Sequence, residues 1–467
     1  MRMARELARV LDSARLASFR DRFAGEVVLP EDDGYDQARR VWNGMIERRP
    51  AIVVRPATVA DVATAIRFGR EEDLAIAVRS GGHSLPGLST CDDGIVIDMS
   101  RISGATVDAE RRTARVNGGA LLGELDDAAQ VHGLGCPVGV VSHTGVAGLT
   151  LGGGVGRLQR RLGLTIDNLR AVELVTADGR DVRASADENA DLFWGLRGAG
   201  WNFGIATAFE FDLHPVGPNL TRGVFMHPIA RAADAFAHFR DFGAGASRDI
   251  TGLVTTFHAL PESDFPPEVA GQPVVVFSVT HSGPPEEAEQ ALSALAGFGE
   301  PLMSTLQPMP YLEIQRMFDD AQGWGHRVYA KSVYVDAAPD ALVQAIAEQV
   351  TALPTTGSLS MGMLGGAIAD VPEDATAYAG RNAAFEISAD GAWDDPAGDE
   401  ELMSWARGAI AAIEPFRTTG VYANSLGDAG HDVAQQIYGA AKYERLRALK
   451  RAWDPDNVFR MNQNIQP

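Results

Sequence analysis

Two cysteines in 467 residues, Cys91 and Cys136, cannot make a disulfide framework. No apolar run approaches the roughly 20 residues of a membrane-spanning helix. The first nine residues, Met1 to Arg9, lack the apolar centre of a secretory signal. Basic residues are outnumbered, 41 against 62 acidic, and the net charge of −21 repels phosphate backbones and anionic lipid surfaces. Neither nucleic acid nor a membrane is therefore expected as a partner, and the expected setting is a soluble, cytoplasmic enzyme. Lysine is sparse beside alanine and arginine, a composition associated with bacterial chains. No internal repeat or low-complexity tract interrupts the sequence.

Glycine is concentrated where chemistry is expected. Directly after the apolar run Leu74–Val78 comes Arg79-Ser-Gly-Gly-His-Ser84. Consecutive glycines accept positive φ at little steric cost, so the backbone N–H groups around Gly81 and Gly82 can converge on an anion such as a pyrophosphate. Ser80 and Ser84 add hydroxyl donors, and Gly87 closes the same loop. His83 then stands where a dinucleotide passes, and a neutral imidazole is a competent nucleophile toward the activated methyl group of an isoalloxazine. On the hexapeptide alone, a plain strand-to-loop turn with a carbonyl-capping histidine is an equal alternative.

A second run, Thr144-Gly-Val-Ala-Gly-Leu-Thr-Leu-Gly-Gly-Gly-Val-Gly156, lacks the G-x-G-x-x-G spacing that opens a helix after the first strand of a nicotinamide-binding unit. Further on come Gly163-Leu-Thr-Ile-Asp-Asn168, Arg197-Gly-Ala-Gly-Trp-Asn-Phe-Gly-Ile-Ala-Thr207 and the closing segment Tyr443–Ile465. In this order the blocks resemble the berberine-bridge-enzyme-like branch of the vanillyl-alcohol-oxidase (PCMH-type) flavoproteins. The resemblance covers nearly the whole chain, its middle third more by position than by residue.

That resemblance implies an α+β fold in which residues 1–215 and 425–467 build a discontinuous FAD-binding domain and residues 216–424 form an inserted α+β substrate domain. It implies FAD as cofactor, with Gly145, Gly148, Gly152, Gly153, Gly154 and Gly156 packing backbone against it. Val141, Ser142, Thr144, Val146, Gly204, Ile205, Asn462 and Asn464 complete the implied binding set. Many relatives link the flavin twice, through the histidine and through a cysteine eleven residues before the glycine triplet. Counting back eleven from Gly152 reaches Val141, whereas Cys136 stands five residues earlier. A single covalent link through His83 is therefore expected, with Cys136 a small apolar filler.

The implied chemistry is hydride removal from a small-molecule alcohol or related metabolite, with O2 as final acceptor and hydrogen peroxide as product. Two alternatives stay open: a flavin dehydrogenase using another acceptor, and a binding protein that keeps the fold without catalysis. The implied base is the tyrosine of a Tyr-x-Asn strand, which puts Tyr422 in that role with Asn424 beside it. To act near neutral pH its pKa must fall from about 10. Tyr334 is the next candidate, and Trp324, His326 and Tyr329 are expected around the pocket.

The local patterns agree with mixed α/β layers. Ile95–Asp98 and Val172–Val175 read as strands, and Ile205–Leu213 alternates in period two. Val274–Val279 and Arg327–Val335 read as strands of the inserted domain. Ser185 and Glu188 have capping-box spacing before a helix at Asp191–Leu196. His214-Pro-Val-Gly-Pro218 reads as a domain boundary.

Overall fold

The computed structural model describes residues 11–259, 265, 267–418, 420–428 and 431–467, without the side chains of 268, 431 and 432. The segment Met1 to Arg9, where a signal sequence was sought, lies outside the described residues.

Short β-branched runs make the first sheet. Ile52–Arg55, Ile95–Asp98 and Ile76–Arg79 pair in parallel in that order, and Glu26–Val28 adds an antiparallel edge. The helix Val59–Glu71 covers it. Its start is fixed by a capping box in which Thr58 Oγ1 accepts from Asp61 N and the Asp61 carboxylate accepts from Thr58 N. The helix then buries Val62, Ala65, Ile66 and Phe68 against the sheet. Val62, Ile66 and Phe68 each contribute about 1.5–3 kcal/mol by this burial.

A second, antiparallel sheet has the order Ala105–Asp108, Thr113–Asn117, Ile205–Asp212, Leu169–Val175, Asp181–Ser185. Phe209 and Phe211 lie in its core with the helix Ala190–Ala199 and with Ile437, Tyr438, Leu446 and Ile465 from the end of the chain. The closing segment thus packs on the first half of the protein.

Strands from the middle of the chain form a third sheet of seven, all antiparallel: Met303–Pro310, Asn219–Pro228, Pro273–His281, Ile250–His258, Gly357–Met363, Phe385–Trp393 and Arg327–Val335. The helices Ala232–Gly245, Pro285–Ala296, Asp340–Val350 and Asp399–Ile413 cover one face. Phe385–Trp393 shows why this sheet has two different faces. Phe385, Ile387, Ala389 and Trp393 are buried toward the helices, while Glu386, Ser388 and Asp390 point to the other side.

The expected strands form, and the differences have local causes. Ser185 and Glu188 make no capping box: Ser185 Oγ accepts from Asp187 N and Glu188 N, and the helix begins at Ala190 after Asn189, whose φ is 49°. The hydroxyl closes a turn one step ahead of the helix. Tyr422 lies in no strand; it precedes the 3-10 turn Ala423–Ser425.

Candidate active site

The open face of the seven-stranded sheet and the two glycine-rich loops enclose one cavity of about 1120 Å³. That exceeds the roughly 300–1,000 Å³ of a single small-ligand site, as a cavity shared by cofactor and substrate requires.

The first loop is anchored by Arg79, which turns away from the cavity. Its guanidinium donates to Asp98 Oδ2 (2.8 Å) and to the carbonyls of Ala38 (2.6 Å) and Arg40 (2.8 Å). Burial pushes the Asp98 carboxyl up, but Arg79 and Arg55 overcome it and hold the group below its usual range. Ser80, Gly81, Gly82, His83 and Ser84 then line the cavity. Ser80 Oγ donates to Gly118 O (2.9 Å), and Ser84 Oγ accepts from Leu88 N (3.0 Å). Gly82 has φ +73°, which a side chain would strain. Gly87 is a packing glycine outside the cavity wall, its absent side chain making room for Ile46.

His83 is stacked on Trp42, with ring centroids 4.7 Å apart, and its Nε2 lies 2.7 Å from His143 Nδ1. His143 Nε2 faces the Asp319 carbonyl at 3.3 Å, and a carbonyl only accepts. His143 Nε2 therefore carries the proton, His143 Nδ1 accepts from His83 Nε2–H, and His83 Nδ1 keeps a free lone pair. Burial, with His143 beside it, drives the His83 pKa down to about 3, so the ring is neutral.

In the second loop Val141, Thr144, Gly145, Gly148 and Gly156 line the cavity. Ser142 and Val146 do not. Ser142 is tied by its N and Oγ to the Asp319 carboxylate (2.8 and 2.5 Å), and Val146 is wholly buried in the core. The loops touch backbone to backbone, for a Cβ on Gly81 would sit 2.2 Å from Gly145 N. Gly152, Gly153 and Gly154 pack against Trp201, Tyr378 and Thr165 and do not reach the cavity. Gly148 differs, since a Cβ there would meet nothing within 4 Å. Its lack of a side chain leaves room in the cavity rather than in the fold.

Gly204, Ile205 and Asn462 also line the wall, whereas Asn464 does not. Asn462 Nδ2 donates to the Trp201 and Phe459 carbonyls (2.9 Å each), while its Oδ1 has no partner. Ser89 Oγ, Trp201 Nε1 and Gln463 Oε1 are further buried, unpartnered polar atoms on the cavity wall. Buried polar atoms left without partners are costly, so this wall is built for a polar ligand. With the open Gly148 position, the residues fit an extended dinucleotide such as FAD.

Cys136 is wholly buried in the core of the five-stranded sheet, and burial pushes its thiol well above the usual range. It is not part of the cavity wall.

Tyr422 and Asn424 do line the cavity. The Tyr422 hydroxyl accepts from Val155 N (3.2 Å) and from Asn424 Nδ2 (3.0 Å). Those donors favour the phenolate, but burial outweighs them and raises the pKa to about 12. The lowered pKa expected for a base at this position is therefore not found, because among the described residues no cation offsets the burial. Tyr334 is wholly buried outside the cavity, hydrogen-bonded to the Tyr378 hydroxyl at 2.5 Å. Trp324, His326 and Tyr329 are also absent from the wall: Trp324 is half exposed beside His83, His326 bonds Asp394, and Tyr329 bonds Asp428.

Glu386 and Asp390 are cavity groups that the sequence reading passed over. Burial pushes both carboxyls up, against the hydroxyls of Ser332 and Ser425 at Glu386 and of Ser358 at Asp390, and Glu386 Oε1 has no partner. The strict alternation of Phe385–Trp393, with Glu, Ser and Asp on one face, was the available signal.

The chain matches the family described as FAD binding domain over residues 50–185, and the family described as berberine and berberine like over residues 420–466. It is 31% identical to an FAD-linked oxidoreductase of Dictyostelium discoideum, covering 96% of each chain. It is 30% identical to (R)-6-hydroxynicotine oxidase of Paenarthrobacter nicotinovorans, over 95% of this chain and 97% of that one. A crystal structure of 6-hydroxy-D-nicotine oxidase from Arthrobacter nicotinovorans superimposes with a TM-score of 0.85 at 28% identity, covering 95% of this chain and 98% of the other. Among the described residues no helix is long and apolar enough to cross a membrane. The chain therefore belongs to the berberine-bridge-enzyme-like FAD-linked oxidoreductases, enzymes of PCMH-type α+β fold that use FAD.

Proposed function

We propose that the protein is an FAD-dependent oxidase that removes hydride from a small-molecule alcohol or related metabolite and passes the electrons to O2, giving hydrogen peroxide. The observation that carries this reading is one cavity in which the two glycine-rich loops face a polar sheet wall, with Tyr422, Asn424 and Glu386 among its lining residues. FAD would supply hydride acceptance and reoxidation. Ser80 to Ser84, Val141, Thr144, Gly145, Gly148, Gly204, Ile205 and Asn462 would hold it, while Gly152, Gly153 and Gly154 would shape the turn behind.

A single covalent link through His83 accords with its neutral ring and free Nδ1 lone pair. A second link through Cys136 is opposed by that thiol's burial and protonation. Tyr422 is the proposed group at the substrate hydroxyl, its oxygen oriented by Val155 N and Asn424. Because its pKa lies near 12, it meets substrate as a phenol. One observation favours a second assignment of the base. Glu386 presents an unpartnered oxygen in the same cavity, and its raised pKa moves a carboxylate toward the operating pH.

The relatives named as 6-hydroxynicotine oxidases make a hydroxylated N-heterocycle with an amine a reasonable first probe beside simple alcohols and sugars. The test is anaerobic addition of each probe to the yellow protein. Bleaching of the flavin band, followed by recovery and peroxide release on admitting air, is expected. Bleaching without recovery in air makes the protein a dehydrogenase. Absence of bleaching with every class of probe would remove the oxidase reading.

A further inference from the structure

Two buried arginines of this protein have a carboxylate partner. Arg79 has Asp98 at 2.8 Å, and Arg381 has Asp167 at 2.7 Å. Arg160, outside the cavity, is satisfied instead by the Ile250 and Ala246 carbonyls (3.2 Å each), whereas among the described residues no ion pair joins a carboxylate to Arg157 or Arg222, the two arginines of the cavity wall. Arg157 follows Gly156 directly. Its guanidinium lies over the Phe318 ring, 5.1 Å from the centroid, and its Nε and Nη2 have no hydrogen-bond partner. Arg157 is half-buried and lines the cavity. Arg222 comes from the strand Asn219–Pro228. Its Nη1 donates to the carbonyls of Gly223 (3.0 Å) and Val279 (2.7 Å), its Nη2 to Ser278 Oγ, and its Nε is unpartnered.

Burying a guanidinium without a counter-charge is expensive, and placing two of them together adds repulsion. Burial first, and then the charge of Arg222, pull the Arg157 pKa down to about 9, which still leaves it cationic at neutral pH. Neither the Phe318 face nor the three acceptors of Arg222 supply a counter-charge. A bound anion would, by accepting the free N–H groups in the planar geometry that suits a carboxylate. Arg222 and Ser278 belong to the seven-stranded sheet, on the wall facing the glycine loops, which places Arg222 on the substrate side, while Arg157 meets the cavity from the end of the second glycine loop. The carboxyls that share the cavity are pushed toward neutrality by burial, and Asp390 is already engaged with Ser358.

We propose that Arg157 and Arg222 form an anion-recognition subsite, and that the compound oxidised here carries a carboxylate. The proposal rests on reading the cavity as the substrate site of a flavin enzyme. Calorimetric titration of the flavin-loaded protein with benzoate and with its neutral isostere benzamide tests it directly. Benzoate should bind at least about tenfold more tightly, and Arg157→Gln or Arg222→Gln should each weaken benzoate about ten- to hundredfold while leaving benzamide unchanged. Equal binding of the two compounds to the wild-type protein overturns the proposal, whether or not the variants fold. So does a variant that loses FAD content but keeps its preference for benzoate, since its arginine then serves the cofactor. Flavin content is read separately by absorbance. A protein without flavin that still prefers benzoate defeats the oxidase reading alone, and a flavin-loaded protein without the preference defeats the anion subsite alone.

Discussion

His83 Nε2 and His143 Nδ1 are 2.7 Å apart, and the Asp319 carbonyl behind His143 favours the tautomer in which His83 donates. The relay leaves His83 Nδ1 as the only free imidazole nitrogen of the pair. His83→Ala should therefore release all FAD into the supernatant on acid precipitation, while Cys136→Ala leaves the wild-type flavin with the precipitate. Peptide mapping of the wild type should find the modification on Nδ1. Loss of bound flavin in Cys136→Ala would mean that the second loop had been placed in the wrong register.

Gly148 and Gly81 separate cofactor space from fold space. A Cβ at 148 meets no protein atom within 4 Å and points into the open cavity wall, so Gly148→Phe should fold with little loss of stability but contain little FAD. At 81 even a methyl group lies 2.2 Å from Gly145 N, so Gly81→Ala should cost about 1–3 kcal/mol or more through forced separation of the loops. Thermal unfolding of the flavin-free proteins, with flavin-to-protein ratios, checks both. Full flavin occupancy in Gly148→Phe would put the cofactor elsewhere.

The end of the chain is held by a wholly buried ion pair. Lys450 Nζ reaches Asp454 Oδ2 (2.7 Å) and the carbonyls of Asn202 and Phe459 (2.9 Å each), and the Asp454 carboxylate also accepts from Val458 N and Phe459 N. Lys450→Met strands that carboxylate, at a cost of about 3–5 kcal/mol. Because Phe459, Asn462 and Gln463 line the cavity, FAD incorporation should fall with it. Removing the last twelve residues should abolish incorporation, and a truncated protein that loads fully would sink the discontinuous cofactor domain.

Asp126 gives a stability prediction. It is buried with Tyr311 and Gln315 as donors (3.2 Å each), and burial raises its pKa from 3.8 to about 7. The folded state therefore binds the proton more tightly than the unfolded one. The resulting destabilisation is absent below pH 4, grows as pH rises through the interval and is complete above pH 7. Asp126→Asn removes the charge, and its amide can donate where Gln315 Oε1 lacks a partner. It should stabilise the protein at pH 8 by up to about 4 kcal/mol and do little at pH 4. A Tm gain of equal size at both pH values would show that charge is not the cause.

The sequence made the strands legible because their patterns are local: Ile95–Asp98 is a bare apolar run and Ile205–Asp212 alternates. The glycine loops were legible because close backbone approach leaves no other residue type, as at Gly81 and Gly145. The polar wall was not. Arg157, Arg222 and Glu386 come from distant segments, and only the register of the seven-stranded sheet turns the last two toward one space. Tyr334 was a natural candidate, being an aromatic in a strand near Tyr422, yet period two sends its side chain to Tyr378 instead. The capping-box spacing at Ser185 misled because the same hydroxyl geometry also closes a turn.

Tyr422 and Glu386 are separable by pH. With its pKa near 12, the phenol stays protonated across the accessible range, so its own ionisation makes no limb below about pH 10. Tyr422→Phe keeps the ring's packing and removes only the oxygen that Val155 N and Asn424 address. FAD content should stay at the wild-type level, and the rate of flavin reduction should fall by roughly two to four orders of magnitude at every pH. Glu386 is the group expected to titrate. Burial raises its carboxyl above the usual carboxylate range, a base must be the carboxylate, and the wild-type rate should therefore climb with rising pH. Glu386→Gln should remove the climb, and Tyr422→Phe should retain it at a lower level. Stopped-flow reduction at several pH values decides between the two. If the limb vanishes in Tyr422→Phe and persists in Glu386→Gln, the tyrosine is the titrating base and the burial that raises its pKa is relieved by substrate.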